Sequence, residues 1–224
     1  MEIRQIVGTQ TRRLAPSDLP LALAEPEGLV WVDIPPAEPD AERLLTEVFC
    51  FHPRAVQDCA RRNPTPKLHL YGDHVFLVLH APDPGEAGHV HSIELDLFVG
   101  PNYLVTVHGP VNPAVSPEVS LVETSAVARR LDDGRWHPDS VEQLMHAVVT
   151  GLNRRMNQQL ADLRLTTWDL ERTVTSGALG DPEAFLEDMF SVRLGLQAIR
   201  VMAALDHEVY ARMSRLHAYG ERHP

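Results

Sequence analysis

Twelve histidines in a chain of 224 residues make metal ligation the first chemistry to consider, and the tightest pair is His89 and His91. Two residues apart on a strand, their imidazoles point to one face, and neutral imidazole nitrogen is a good ligand for borderline divalent metals. A third ligand has to come from elsewhere, because Glu94 and Asp96 have the opposite parity and face away in a regular strand. The alternative is a surface loop ending in polar residues, since two histidines at this spacing often coincide by chance. His52 precedes a helix-opening proline and His108 ends a strand, so both read as structural or exposed. Asp33, at a strand end close to a proline, stands where an α/β enzyme can place a carboxylate, but such residues more often cap a turn. Enzyme signatures are absent: there is no GxSxG, Walker loop, GxGxxG or HExxH. The chain therefore reads as a non-enzyme, with a zinc enzyme built on His89 and His91 as an outlying reading.

The elements that position these residues follow from periodicity. Glu2–Val7 and Leu29–Ile34 are short β-type runs, with a proline-interrupted helical candidate at 17–24 between them. Asp40 is placed to cap a helix over 41–49, and His52-Pro53 opens another that ends before Pro64. Strands follow at 67–71 and 74–80, then a Pro/Gly-rich polar loop, then a hairpin of 90–99 and 103–108 turning at Gly100-Pro101-Asn102. Strands this close in sequence, without helices between them, require part of the sheet to be antiparallel. A helix over 118–131 ends at Asp132-Asp133-Gly134.

Beyond residue 132 the pattern becomes helical throughout. Asp139 is placed to cap a stripe running from Val141 through Leu152 and Leu163 to Val174, ended by Gly177 and Gly180. Asp181 and Pro182 open a second stripe with a heptad rhythm: Phe185, Met189, Val192, Leu196, Ile199, Ala203, Asp206, Tyr210, Met213 and His217. Each helix reaches roughly 50 Å at about 1.5 Å per residue, which suggests that the two pair as an antiparallel hairpin and with partner subunits. The expected fold is α/β (α+β): a mixed parallel and antiparallel sheet flanked by helices, followed by two long antiparallel helices. Its expected division is a sheet subdomain over 1–132 and a helical hairpin over 133–224.

A formal net charge of -11 argues against a nucleic-acid partner, which needs a clustered basic surface, and suits cations better. The doublets Arg129-Arg130 and Arg154-Arg155 read as solvated helix faces. Cys50 and Cys59 read as buried small hydrophobes in an amphipathic helical stretch, not as a disulfide or CxxC. No secretory signal opens the chain, which suggests a cytoplasmic, reducing compartment. No run approaches the ~20 apolar residues of a spanning helix.

Four segments, in order, resemble the CorA family of magnesium, cobalt and related divalent-cation channels. Phe51–Asp58 (FHPRAVQD) is similar to the family's FHP-L-A-[VI]-E-D, departing at Arg54 and Gln57. Thr65-Pro66-Lys67 with Tyr71–His80 resembles R-P-K-x-x-x-Y-x-x-[YH]-x-F-x-V-L, with Thr65 in place of Arg. Leu97–His108 is similar to the hairpin ending in L-[IV]-T-V-H, and Leu29–Asp33 to the W-[IV]-D strand. The two long helices occupy the place of the family's outer antiparallel pair.

The resemblance implies a cytoplasmic regulatory, metal-sensing domain of a CorA-type Mg2+/Co2+ transporter, part of a funnel-shaped homopentamer in the full-length parent. It implies attachment to the cytoplasmic face of the cell membrane through C-terminal helices and a Gly-Met-Asn pore signature that this sequence does not contain. The expectation is a soluble piece of a longer protein, or else a natural soluble relative acting as a stand-alone scaffold or oligomerisation protein without a transport role. No cofactor is required. A regulatory Mg2+ or other divalent cation would bridge carboxylates between adjacent domains, with Asp83 and Glu86 as candidate ligands and His89 and His91 as weaker ones. The family's acidic ridge on the outer helix is largely replaced by Asn153–Asn157 and Leu163–Trp168.

Overall fold

The computed structural model describes residues 1–177 and 180–220, with side chains described as far as Arg215. Seven strands form one mixed sheet: β1 (Glu2–Val7), β2 (Gln10–Arg13), β3 (Leu29–Ile34), β4 (Lys67–Leu70), β5 (Val75–Pro84), β6 (Val90–Val99) and β7 (Tyr103–His108), in the order β2-β1-β3-β7-β6-β5-β4. The junction of β3 with β7 is parallel, whereas β1 pairs antiparallel with both β2 and β3, β4 with β5, and β6 with β7. The expected mixed sheet is therefore present.

β2 was not legible because Gln-Thr-Arg-Arg has no apolar alternation. It pairs with β1 in a short antiparallel ladder, Val7 opposite Gln10, across a two-residue turn in which Gly8 takes φ +55°, and Arg12 Nε adds a side-chain bond to Gln5 Oε1 at 2.7 Å. β5 runs four residues past its expected end at His80, through two prolines that ordinarily argue against a strand. Pro82 and Pro84 share parity, so their missing N–H groups fall on one edge, and β4 pairs with β5 no further than Val78. The other edge is closed by the Gly85 N–H donating to the His89 carbonyl at 2.8 Å.

The chain forms two compact units, residues 1–79 with 94–151, and residues 80–93 with 152 onward. In the first, Val30, Val32, Ile34, Phe76, Val78, Phe98, Val105 and Val107 supply one sheet face of the core, covered by α1 (Leu19–Leu23), α2 (Ala41–Arg43) and α3 (Pro53–Cys59). The helix expected over 41–49 passes after α2 into a π-helical turn, Leu44–Val48, in which the Phe49 N–H reaches the Leu44 carbonyl at 3.2 Å. Asp40 does not cap it and pairs instead with Arg43 at 3.0 Å. His52 does cap α3, its Nδ1 accepting the Arg54 N–H at 3.2 Å. Cys59 is buried as expected, but Cys50 lies exposed at φ +54° just past the helical turn.

On the opposite sheet face, the helix expected over 118–131 is broken at Leu121 into α4 (Pro117–Ser120) and α5 (Val122–Asp132). Arg4 is buried on β1, its Nε donating to Asp132 at 2.9 Å, with its guanidinium 5.6 Å from the Trp31 ring. The long helix α6 (Val141–Thr175) is opened by Ser140, whose Oγ accepts the Gln143 N–H at 3.3 Å; Asp139 contributes its backbone N–H to Gln143 Oε1, not a side-chain cap.

The second unit combines the distal ends of β5 and β6, a hairpin arm tipped by the 3-10 turn Glu86–Gly88, with residues 152–175 of α6 and with α7 (Pro182–Gly220). Asp181 caps α7, its Oδ1 accepting the Glu183 N–H at 3.0 Å. The two helices are antiparallel: Leu163 packs on Gly195, while Asn153, further back on α6, lies beside Tyr210, further along α7. The expected stripe buries Val192, Ile199 and Asp206; the side chain of His217 lies outside the described residues.

Candidate functional site

All four candidate ligands lie on the hairpin arm. Asp83 Oδ1 accepts from Arg155 Nη2 of α6 at 2.7 Å, with both side chains mostly buried. Arg155 is thus part of an internal ion pair, not the solvated face its doublet suggested, while Arg154 is exposed. Glu86 is exposed in the turn at the arm's tip, and its carbonyl accepts the His89 N–H at 2.9 Å. His89 is exposed, His91 half-buried, and their rings meet edge to face with centroids 4.6 Å apart. His89 is extended just ahead of β6 and His91 lies on it, so their side chains keep strand parity, and Gly85 permits the approach, since a Cβ there would stand 2.8 Å from His91 Nε2.

The arm is held down at its tip. Gly88 takes φ +78° and lies so close to α7 that an added Cβ would fall 2.1 Å from the Ser191 carbonyl oxygen. Only glycine meets both demands without strain. Among the described residues no three His, Cys, Asp or Glu side chains converge as a complete metal cage.

Glu94 and Asp96, set aside on parity, are buried in the first unit. Glu94 accepts the Asn63 backbone N–H and side-chain amide, each at 2.7 Å, and Lys67 Nζ donates to Asn63 Oδ1 at 2.6 Å and to Asp58 at 2.9 Å. Asp96 is fully buried, and among the described residues its hydrogen-bonding neighbour is the weak donor Cys59 Sγ, with no nitrogen or oxygen partner for either carboxylate oxygen. Burial, reinforced by the charge of Glu94, pushes its carboxyl well above the usual range. Burial likewise raises Glu94 and drives the neighbouring Cys59 thiol upward. These groups form a buried acid cluster on the helix-covered core face, in which burial raises every member and Asn63 and Lys67 oppose the rise at Glu94.

The segments that carry the family resemblance are structural. Phe51 stacks on Phe98 at 4.0 Å and lies 4.6 Å from the His74 ring; Tyr71 stacks on His52 at 4.8 Å and on His74 at 5.0 Å. Asp33 does not cap a turn. Its carboxylate accepts from the Thr106 hydroxyl at 2.5 Å and contacts His108 Nε2 at 2.9 Å, making His108 a buried structural residue.

Sequence reasoning did not single out Asp206, although the signal was present: a carboxylate in a row of apolar heptad positions. It is 4% exposed on α7 and accepts the His80 backbone N–H of the arm, while Oδ1 has no partner. Burial raises its pKa to about 7.

Comparison with known proteins follows the same lines. Residues 26–222 match the family model described as CorA-like Mg2+ transporter protein. A Bacillus subtilis (strain 168) protein, YfjQ, provisionally named a metal ion transporter, is 34% identical over 86 residues; that match takes in 38% of this chain and 26% of the relative's length. The ZntB cytoplasmic domain from Vibrio parahaemolyticus superposes with a TM-score of 0.56 at 12% identity, covering 96% of this chain and 98% of that one. The soluble domain of CorA from Methanocaldococcus jannaschii superposes with a TM-score of 0.59 at 11% identity, covering 92% and 95%. At these identities the structures show a shared fold. No helix among the described residues is long and apolar enough to cross a membrane.

Proposed function

The chain belongs to the family of CorA-like Mg2+ transporter proteins, and from that membership we propose that it is the cytoplasmic regulatory domain of a divalent-cation transporter. The observation that carries the reading is the hairpin arm of the second unit, which bears Asp83, Glu86, His89 and His91 within nine residues and brings the two imidazoles together. Among the described residues a single copy offers fewer than three converging ligands, and the reading has the bound ion shared with a neighbouring copy in a homo-oligomer, a pentamer in the parent. Carboxylate oxygens at Asp83 and Glu86 suit Mg2+, whereas the imidazoles of His89 and His91 favour cobalt or zinc.

In physical terms, a bridging cation offsets repulsion between acidic subunits, and its loss lets them separate. At Asp83 the cation has to share or replace Arg155, which makes binding there weaker than an unpaired carboxylate would give. Calorimetric titration with Mg2+, Co2+ and Zn2+, with sedimentation to read assembly, tests this. Binding that is lost on Glu86→Gln for Mg2+, or on His91→Ala for Co2+ and Zn2+, supports the assignment. Absence of binding by all three ions, or binding indifferent to both substitutions, overturns it. The transport role is tested separately by the reading frame past Pro224: two apolar segments of about 20 residues are expected.

A further inference from the structure

Within the second unit, the hairpin arm and α7 meet at an unusual pair of groups. Asp206 occupies the heptad row of Val192 and Ile199, positions otherwise filled by apolar side chains, and it is 4% exposed. A polar residue at such a position costs stability and is retained for register or switching. One function of this carboxyl is visible: it accepts the His80 backbone N–H, tying β5 of the arm to α7. Among the described residues its Oδ1 has no partner, and the Tyr210 hydroxyl one turn along lies beside Asn153 of α6.

We infer that Asp206 is a proton-dependent lock on the arm: as the neutral acid it seats β5 against the helical pair, and as the carboxylate it loosens that seat. The surroundings allow this because, among the described residues, no cation is paired with an ionised Asp206. From the arm it meets His80, buried and itself titratable. From α6 the facing group near Tyr210 is Asn153, which is uncharged, and Arg155 holds Asp83. From α7 itself the neighbour is the Tyr210 phenol, whose pKa is raised by burial and then by Asp206. Among the described residues the His80 backbone N–H favours the charged form, and burial outweighs it.

The sign follows from linkage. A carboxyl whose pKa is raised on folding binds its proton more tightly in the closed state, so closure is favoured at low pH. That advantage falls away as pH rises from the ordinary carboxylate range to about 7 and is flat above it. The lock is independent of any bound cation and acts on the element that bears His89 and His91.

Hydrogen exchange over residues 80–93 in the full chain, measured from about pH 4 to about pH 8, tests the idea. Dividing the wild-type rate by that of Asp206→Asn at each pH cancels the intrinsic pH dependence of exchange. The ratio is expected to climb by up to about tenfold per pH unit and to level off near neutrality. A ratio independent of pH overturns the lock. Should the Asn variant not fold, the wild-type rate over 80–93 relative to that over 29–34 takes its place, with the same rise expected and a flat profile decisive against it. His80→Gln should leave the rise in place; its disappearance would assign the titration to His80 and also overturn the proposal.

Discussion

Asp33 and His108, 75 residues apart in sequence, meet at 2.9 Å because the parallel pairing of β3 with β7 brings their strand ends together. Burial disfavours the charge on Asp33, but His108 and the hydroxyls of Thr106 and Thr124 outweigh it, so its pKa is lowered. The Trp31 indole N–H, donating to Thr106 Oγ1 at 3.1 Å, extends the network inward.

Asp33→Asn should therefore destabilise the chain by about 1.5–3 kcal/mol, the range for a hydrogen bond to a charged group. Because the folded pKa is depressed, the stabilisation is present above the ordinary carboxylate pKa and is lost as pH falls through the folded value. Urea denaturation of the two proteins should accordingly converge toward acid pH. A constant difference would mean that the charge of Asp33 contributes nothing.

Asp96 predicts the opposite pH dependence. Its raised pKa means that stability is full below the ordinary carboxylate range and declines as pH rises toward the folded value. Asp96→Asn should be close to neutral in acid and stabilising at alkaline pH, read as a midpoint shift in thermal melts. A variant less stable at high pH would contradict a neutral, proton-retaining Asp96.

Arg4 is buried, hydrogen-bonds Asp132 and lies over Trp31, and its removal leaves the partly exposed Asp132 to Arg13 alone. Arg4→Met should cost about 1.5–3 kcal/mol, the range for a hydrogen bond to a charged group. Hydrogen bonding from Arg4 first, and from Arg13 as well, holds the Asp132 pKa down at about 2. The pair's pH-dependent contribution is thus present above the ordinary Asp range and fades as pH falls toward about 2. Denaturation midpoints at neutral and at strongly acid pH provide the check.

Gly88→Ala should detach the arm's tip without unfolding the first unit. The substituted Cβ would both require positive φ and fall 2.1 Å from the Ser191 carbonyl oxygen. Faster amide exchange over 80–93, with rates over 29–34 unchanged, is the expected result. Gly134→Ala is a control for φ alone, because Gly134 also has positive φ but no atom within 4 Å of its would-be Cβ.

How much of this was legible in the sequence depends on whether local pattern or distant contact decides each feature. β1, β3, β6 and β7 follow from runs of alternating or continuous apolar residues bounded by turn signals, and α7 from its heptads, because those signals lie within a few residues of the element they specify. The family segments were legible for the same reason, as contiguous strings. β2, the proline-bearing end of β5 and the break at Leu121 were not, since each is stabilised by backbone pairing or packing that no local pattern records.

The site divides in the same way. Parity alone placed His89 and His91 on one face. Their 4.6 Å approach depends on Gly85, the pairing of Asp83 with Arg155 depends on α6, and the burial of Asp206 depends on β5 lying against α7. By itself the sequence determined the family, the strands and the long helices, because periodicity and turn chemistry act over short spans of chain. Only the tertiary structure decided which charges are paired, which are buried and which keep their protons, because desolvation and Coulomb interactions depend on neighbours that the fold brings together from distant positions.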